Sequence, residues 1–362
     1  MVAVLAALLV VGGGATAVVW VARTNHAKVA TAAPQPVAPF NVIATTPSAS
    51  AKLVPSATTI TVSFSAPIAQ DSPMPTLAPP VPGAWSLVSA SELEFVASAA
   101  LVPGATESVL IPGGPSGMVS DHGQYLSAST TVPFSVATGS ILRLQQLLAE
   151  LGYLPLTFTS IAPMTSLTQA ADVQQGTFGW RWPDQPASLA SLWTPGQMNV
   201  ITKGAIMDFE DQHNLKTDGQ PGPAVWTDLL ADASTGHPDA NPYRYVVVSE
   251  NNPETVTVYQ DGTVAYKTLA NTGVPGALTE QGTFTVFSRY VSTTMSGTNL
   301  DGSTYSDPGV PWVSYFNGGD ALHGFDRGGY GYPQSLGCVE MPPSNAQVVY
   351  PMTPIGTLVT VV

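Results

Sequence analysis

The chain has 362 residues, more than one ordinary domain contains, which predicts two or three domains. Its 24 acidic against 11 basic side chains give a net charge of −13, which argues against nucleic acid as a partner. Charged residues make up only 10% of the chain, and 33 glycines with 33 prolines favour short strands and turns.

The first segment of the chain is apolar enough to enter a membrane. Residues 1–22 contain no charged side chain, and a helix of this length can span a bilayer. We therefore predict a transmembrane anchor, with a cleaved signal peptide at Ala15 and Ala17 as the alternative. Both predict export, either as a single-pass plasma-membrane protein with its domains on the outer, cell-wall side, or as a secreted protein. Residues 23–38 lack a periodic pattern and predict a linker.

Alternating apolar residues predict an all-β domain over residues 39–138. Ile60, Val62 and Phe64 share one face of a strand, because successive side chains point to opposite faces. Similar segments, separated by turn residues, lie at 93–96, 108–111 and 131–134. This spacing is typical of a small sandwich. Residues 46–68 resemble a bacterial immunoglobulin-like domain, which implies a spacer.

Over residues 139–236 the apolar period becomes helical. We predict a first helix between Ser140, suited to its N-cap, and Gly152, suited to its end. A second helix is predicted to begin at Thr194-Pro195, and a third follows a turn at residues 216–222. The apolar stripes of the three helices consist of Ile141, Leu144, Leu148 and Leu151; Met198, Ile201, Ala205 and Phe209; and Val225, Trp226, Leu229 and Leu230.

This helical segment resembles the three-helix peptidoglycan-binding domain. The resemblance lies in Leu-Gln-x-Leu-Leu of the first helix, the Phe-x-x-x-His ending of the second and Pro-x-x-Trp-x-x-Leu of the third. It implies that residues 139–236 bind the cell wall, with a bundle that only spaces its neighbours as the alternative. An insertion at about 155–193, with Trp180, Trp182 and Trp193, makes the segment longer than that family's usual domain.

The last third of the chain predicts a mainly-β domain over residues 240–362. Strand-forming residues are concentrated at 245–249, 255–259, 263–267, 283–287, 313–316 and 357–361, with a short helix at 343–350. Gln260-Asp261-Gly262 predicts a tight hairpin turn. The predicted fold class is therefore multidomain: an N-terminal transmembrane helix, an all-β immunoglobulin-like sandwich, a small α-helical bundle and a mainly-β catalytic domain.

Residues 321–341 combine the groups of a cysteine active site. Cys338 is the single cysteine of the chain, and His323 lies fifteen positions before it. An imidazole can activate a thiol, and nearby glycines leave room for a substrate and for backbone N–H groups that face an oxyanion. An unpaired cysteine in an exported chain indicates a working thiol or an intermolecular bridge, while a buried inert cysteine is the alternative.

The spacing of these residues resembles the signature of the L,D-transpeptidases, cysteine enzymes that cross-link peptidoglycan. His323-Gly324 is followed after about a dozen residues by Ser335-x-Gly337-Cys338. Residues 271–273 and 282–284 resemble the family's entry hairpin, and residues 343–362 its closing helix and last strand. Two positions depart from the family: Leu336 replaces a histidine, and Glu340 replaces an arginine or asparagine.

The resemblance implies a role for each residue of the motif. Cys338 is the implied nucleophile and His323 its base, paired as thiolate and imidazolium with a depressed thiol pKa. The backbone carbonyl of Gly324 is the group implied to orient the imidazole. The remaining implied roles are oxyanion donation by the backbone N–H groups of Gly337 and Cys338, and substrate contact by Tyr305, Ser335 and Leu336.

The implied reaction is acyl transfer between two peptidoglycan stem peptides. The thiolate attacks the carbonyl of the third residue of a tetrapeptide stem and releases D-alanine, and an amine of a neighbouring stem then forms a 3→3 cross-link. Carbapenem-type inhibitors are implied partners, and no cofactor is expected. His26, His122, His213 and His237 lack partners at metal-ligand spacing, so no metal site is expected.

Alternatives remain within and outside this chemistry. With water as acceptor the same site would be an L,D-carboxypeptidase, and with a decayed site the chain would be a catalytically silent wall-binding scaffold. Papain-like enzymes are disfavoured because their cysteine precedes the histidine. Sortases share the order found here but use an arginine after the cysteine, and no arginine or lysine follows Cys338.

Overall fold

The computed structural model describes residues 38–162 and 164–362. The predicted anchor at 1–22 and the linker up to residue 37 lie outside the described residues. Among those that are described, no helix is both long and apolar enough to cross a membrane. Residues Pro39–Val362 form one compact unit, so the segments described below pack on one another.

The first described segment is a sandwich of two antiparallel-rich sheets. Its strands are β1 (Val42–Thr46), β2 (Ala51–Val54), β3 (Ile60–Phe64), β4 (Thr76–Ala78), β5 (Gly83–Ser89), β6 (Glu92–Ala97), β7 (Thr106–Ile111) and β8 (Thr130–Val136). Four-stranded sheets of order β1-β3-β6-β5 and β2-β8-β7-β4 enclose one apolar core. Ile60, Val62 and Phe64 all point into that core. The predicted β-sandwich is confirmed.

The next segment contains helices and one hairpin. Its elements are α1 (Ile141–Glu150), β9 (Leu156–Ser160), β10 (Gly176–Trp180), α2 (Ala187–Ala190), α3 (Val200–Gln212) and α4 (Pro223–Thr235). The predicted start of the second long helix at Thr194-Pro195 is wrong. The helix begins at Val200, because the side chain of Asn199 accepts a 2.9 Å hydrogen bond from the N–H of Thr202 and caps it there. Ser140 stands at the N-cap of α1 without a side-chain capping bond.

The predicted insertion is largely a two-stranded antiparallel hairpin formed by β9 and β10. Its three tryptophans have different surroundings. Trp180 is the last residue of β10, and Trp193 packs on Phe178 of the same strand. Trp182 stacks on Tyr243, 6.1 Å between ring centroids, and covers Gly262. The insertion is therefore attached directly to the segment that follows the helices.

The C-terminal segment is built from two sheets with a shared core. Its elements are β11 (Arg244–Ser249), β12 (Thr255–Gln260), β13 (Thr263–Leu269), β14 (Gly282–Thr285), β15 (Ser288–Thr298), β16 (Thr304–Asn317), β17 (Asp320–Gly324), β18 (Val339–Met341), α5 (Pro343–Val349) and β19 (Leu358–Val361). The sheet orders are β13-β12-β11-β19-β14 and β15-β16-β17-β18. Val246, Phe316 and Val359 belong to the core between them. The predicted turn after β12 is confirmed, with positive φ at Asp261 (48°) and Gly262 (77°).

The helices and the C-terminal sheets also share a core. Tyr245 of β11 and Leu358 of β19 join the apolar cluster formed by α1, α3 and α4. The hydroxyl of Tyr245 bonds to Thr360 at 2.6 Å and to Ser188 at 2.9 Å. Gly204 of α3 packs against the backbone at Gly356, just before β19. A Cβ on Gly204 would lie 2.6 Å from the carbonyl oxygen of Gly356, so only glycine permits α3 to come this close. The helical segment is thus fixed to the C-terminal sheets.

Candidate active site

A cavity of about 600 Å³ opens on the sheet that contains β15 to β18. Its lining residues come mainly from β15 and β16, from β17 and β18, and from the loop between β17 and β18. His323 and Cys338 both line this cavity, as does Tyr305. The structure therefore brings together residues that the sequence separates by up to 33 positions, from Tyr305 to Cys338.

The pairing of β17 with β18 places the histidine and the cysteine on neighbouring segments of the chain. The two strands are parallel neighbours, with His323 in register with Glu340. Cys338 is the residue immediately before β18. The prediction that these two residues lie at adjacent strand ends is confirmed.

The imidazole of His323 is buried and held by one hydrogen bond. The side chain is 3% exposed, and its Nδ1 lies 3.0 Å from the carbonyl oxygen of Gly324. Because a carbonyl oxygen only accepts hydrogen bonds, Nδ1 carries the proton and Nε2 keeps a lone pair. Burial lowers the pKa of His323 below its usual 6.5. The imidazole is therefore neutral and available as a base, oriented by the carbonyl predicted for that purpose.

The thiol of Cys338 is also uncharged in this structure. Its Sγ lies 3.6 Å from the carbonyl oxygen of Gly319, an acceptor that favours the protonated form. Burial is the main cause that raises the pKa of this thiol to about 12, and the carboxylates of Asp320 and Glu340 contribute to that rise. The predicted depressed thiol pKa is wrong, because burial beside carboxylates disfavours a thiolate. The resting pair is a neutral thiol and a neutral imidazole.

Ser335 and Gly337 shape the turn that carries the thiol. Ser335 is 1% exposed; its hydroxyl donates to the carbonyl oxygen of Cys338 at 2.5 Å and accepts the N–H of Gly337 at 3.3 Å. Gly337 has a φ of +112°, and a Cβ there would lie 2.6 Å from Oδ1 of Asp320. Both residues hold the turn itself, and the substrate contact of Ser335 and the oxyanion role of Gly337 stay predictions.

Tyr305 and Leu336 lie on the cavity wall, as their predicted substrate contacts require. A second tyrosine, Tyr315, lines the same cavity and was missed in the sequence because nothing distinguishes it from a strand tyrosine. Burial raises the pKa of both tyrosines, and the nearby Cys338 adds to the rise. Both phenols are therefore protonated hydrogen-bond donors at neutral pH.

Arg327 is the principal site residue that sequence reasoning missed. Its Nε and Nη2 donate to the two carboxylate oxygens of Glu340 at 2.8 and 2.7 Å, a bidentate ion pair. Glu340 is only 4% exposed, so this pair satisfies a buried charge. The departure from the family at Glu340 is thus matched by an arginine thirteen positions earlier in the chain. The sequence identified Glu340 as a departure from the family, but its burial, and therefore its need for a partner, is known only from the fold.

Among the charged side chains of the cavity lining, acidic groups outnumber basic ones. Asp307 and Asp320 face it together with Glu340, against the single guanidinium of Arg327. Burial raises the pKa of Asp320. Within residues 38–162 and 164–362, no group of three His, Cys, Asp or Glu side chains is arranged to hold a metal ion. His213, outside the cavity, bonds Asp232 at 2.9 Å and the carbonyl of Phe209 at 2.9 Å.

Comparison with known families gives two matches. Residues 243–361 match the model of the L,D-transpeptidase catalytic domain, and residues 36–136 match that of a bacterial immunoglobulin-like domain. The first match contains the whole cavity described above. No curated protein matches the chain.

Solved structures of L,D-transpeptidases are similar to parts or most of the chain. The catalytic domain from E. faecium is 30% identical, with 34% of this chain and 100% of that chain covered and a TM-score of 0.31. An enzyme from Mycobacterium smegmatis is 15% identical, with 90% and 100% covered and a TM-score of 0.30. L,D-transpeptidase 3 from Mycobacterium tuberculosis is 14% identical, with 89% and 98% covered and a TM-score of 0.31. Because each TM-score is below 0.5, the identification of the catalytic domain and of the immunoglobulin-like domain rests on the family models.

Proposed function

We propose that Cys338 forms a thioester with a peptidoglycan stem peptide and transfers the acyl group to a second stem, which gives a 3→3 cross-link. The chain carries an L,D-transpeptidase catalytic domain at residues 243–361 and a bacterial immunoglobulin-like domain at residues 36–136. The observation that supports this proposal most directly is the orientation of His323. Its Nδ1 donates a hydrogen bond to the carbonyl oxygen of Gly324 at 3.0 Å, which leaves Nε2 free to act as a base in the cavity that Cys338 also lines.

The first step would begin from the neutral pair. As Sγ of Cys338 forms a bond to the carbonyl carbon of the third stem residue, the thiol proton moves to Nε2 of His323, and the carbonyl becomes an oxyanion. The tetrahedral intermediate then breaks its bond to the terminal D-alanine, whose amine takes the proton from the imidazolium. The products are a thioester and a neutral imidazole, so the base is ready for the second step.

The second step would reverse the direction of proton transfer. A side-chain amine of the acceptor stem attacks the thioester, giving a proton to Nε2, and the Sγ–carbon bond breaks as the thiol recovers that proton. Hydrolysis by water would follow the same path and yield an L,D-carboxypeptidase. The acidic lining formed by Asp307, Asp320 and Glu340 attracts a cationic amine, which releases one proton to solvent before it attacks, and gives no such advantage to neutral water; we therefore prefer transfer to an amine.

We further propose that the reaction takes place at the cell wall. Residues 1–22 would anchor or export the chain, and residues 139–236 would bind peptidoglycan. Sedimentation of the Cys338→Ala chain with purified sacculi tests wall binding, and recovery of the chain in the supernatant would remove that part of the proposal.

Product analysis tests the activity itself. The full chain is incubated with disaccharide tetrapeptide, and the products are identified by mass spectrometry beside Cys338→Ala. We expect dimers linked 3→3 with release of D-alanine, and neither with the variant. Tripeptide alone would identify a carboxypeptidase.

Intact-mass measurement after incubation with a carbapenem tests the thiol separately, since acylation needs no acceptor. One adduct on the wild type and none on Cys338→Ala is expected. An unmodified wild-type chain that also makes no product would support the catalytically silent scaffold.

A further inference from the structure

A second concave surface lies on the hairpin insertion, away from the catalytic cavity. We call it the hairpin groove; it has a volume of about 720 Å³, within the range of small-ligand sites. Its lining includes four aromatic and three carboxamide side chains. The residues used below are Phe158, Phe178, Trp180, Trp193, Gln174 and Gln175.

The aromatic rings of the hairpin groove are held in place by one another. Phe178 lies 5.2 Å from Phe158 and 5.2 Å from Trp193, measured between ring centroids, in tilted and edge-on arrangements. These rings also pack against the apolar core of the helical segment while remaining partly exposed. A ligand that stacks on them therefore meets rings that are already ordered, which reduces the entropy lost on binding.

The hairpin groove contains no charged side chain. All of its lining residues are apolar, aromatic, amide or hydroxyl residues or glycine, in a chain whose net charge is −13. The catalytic cavity, in contrast, presents Asp307, Asp320, Glu340 and Arg327. An ionic ligand would lose hydration in the hairpin groove without gaining a counter-charge, so the lining is complementary to an uncharged ligand.

We propose that the hairpin groove binds the glycan strand of the wall, as an uncharged polymer of β-1,4-linked N-acetylhexosamine units. The flat faces of such sugars present C–H bonds with partial positive charge, which suit the negative faces of Trp180 and Trp193. The exposed carboxamide of Gln175 is both donor and acceptor, as is the acetamido group of the sugar. The choice of sugar rests on the proposed function, whereas the preference for an uncharged ring ligand rests on the lining alone.

The insertion that carries the hairpin groove is attached to the catalytic segment, so a ligand bound there is held on the same compact unit as the cavity. Trp182, which follows the hairpin directly, packs on Tyr243 and Gly262 of the catalytic segment. The hairpin groove is thus fixed to the catalytic sheets, within the single compact unit Pro39–Val362. A bound strand would raise the local concentration of its own stem peptides near the cavity.

The test is a titration of the full chain with the tetramer of β-1,4-linked N-acetylglucosamine, followed by tryptophan fluorescence. The tetramer of β-1,4-linked glucose, which lacks the acetamido groups, is the sugar control. We expect saturable binding of the first tetramer, weakened about tenfold or more in Trp193→Ala. Gln175→Ala, whose side chain is exposed, is expected to weaken binding about two- to tenfold without affecting the fold. Tyr125→Ala, an exposed aromatic of the sandwich, should bind like the wild type.

Carbapenem adduct formation on Cys338 is measured on the same samples, so a failure of the catalytic proposal is seen independently of sugar binding. Thermal unfolding shows whether Trp193→Ala is folded; if it is not, Gln175→Ala decides. The proposal is overturned if the wild type gives no saturable signal, if both variants bind like the wild type, or if the glucose tetramer binds equally well. Concentration-dependent dimerisation abolished by Trp193→Ala, without sugar binding, would overturn it in favour of a second copy of the chain.

Discussion

The catalytic cavity and the hairpin groove are of similar size but are lined by different kinds of side chain. The cavity has a thiol, an imidazole, three carboxylates and a guanidinium, whereas the groove has rings and amides. If the two proposals hold, bond making and strand holding take place on different surfaces. Proton transfer needs titratable groups whose pKa values are shifted by burial, while retention of a neutral polymer needs ordered apolar faces.

Removal of the base is expected to have the largest effect and to change acylation in the catalytic cavity without changing sugar binding at the hairpin groove. His323→Ala should slow acylation of Cys338 by a carbapenem about 10³-fold, because the neutral imidazole is the proposed acceptor of the thiol proton. Sugar binding at the hairpin groove should be unchanged. His122→Ala, in an exposed loop of the sandwich, is the matched control. Acylation at the wild-type rate in His323→Ala would show that the imidazole is not the base.

Disruption of the ion pair in the cavity should be the next largest effect. Arg327→Ala leaves the buried carboxylate of Glu340 without its partner, which is expected to lower the free energy of unfolding by about 3 kcal/mol. The measurement is urea denaturation at neutral pH. Lys216→Ala breaks an exposed pair with Asp218 and should cost less than about 1 kcal/mol.

Exchange of the two charged residues tests whether stability depends on the ion pair or on each residue at its own position. Arg327→Glu combined with Glu340→Arg keeps one charge of each sign at the same two positions, and should recover part of the lost stability. A double variant that is no more stable than Arg327→Ala would show that the geometry of the original pair, rather than its charges, stabilises the loop.

The pH dependence of acylation distinguishes the neutral pair from an ion pair. Protonated His323 cannot accept the thiol proton, and its pKa is lowered below 6.5. The acylation rate should therefore fall about tenfold per pH unit below that lowered pKa and be constant from about pH 7 to pH 9. Stopped-flow or mass-spectrometric rates over this range provide the measurement. A rate that rises steadily through pH 9 would identify free thiolate, formed by simple ionisation, as the attacking species.

The smallest effect concerns the shape of the hairpin. A Cβ on Gly176 would lie 2.4 Å from the carbonyl oxygen of Thr159 and 2.5 Å from the ring of Phe158, so Gly176→Ala should cost about 1 to 3 kcal/mol and displace that ring. Gly179→Ala, in the same strand, would meet only Oγ1 of Thr157 at 3.5 Å and is the control. Weaker sugar binding by Gly176→Ala, with normal acylation of Cys338, would show that the shape of the hairpin affects the hairpin groove and not the catalytic cavity. Equal melting temperatures for both variants would contradict the steric argument.

Sequence patterns predicted the sandwich, six of the nine strands of the catalytic segment and the pair of His323 and Cys338, but not strands β15, β17 and β18. These follow from local rules: alternation of apolar residues, turn residues such as Asp261-Gly262, and a single thiol placed near a histidine. The start of α3 was misplaced because Thr194-Pro195 and Asn199 are both good helix-initiating signals. Only the contact of Asn199 with the N–H of Thr202 distinguishes them.

The state of the site was decided by tertiary structure. Whether the thiol of Cys338 is neutral depends on how deeply the fold buries it and on the carboxylates of Asp320 and Glu340 around it. Arg327 could not be assigned to the site from the sequence, since its ion pair with Glu340 joins a loop to a strand. The hairpin groove likewise depends on Trp193 meeting a hairpin formed by residues 156–180. Sequence specifies the chemistry that is available, and packing sets the charge states and partners, because both depend on burial and distance between residues far apart in the chain.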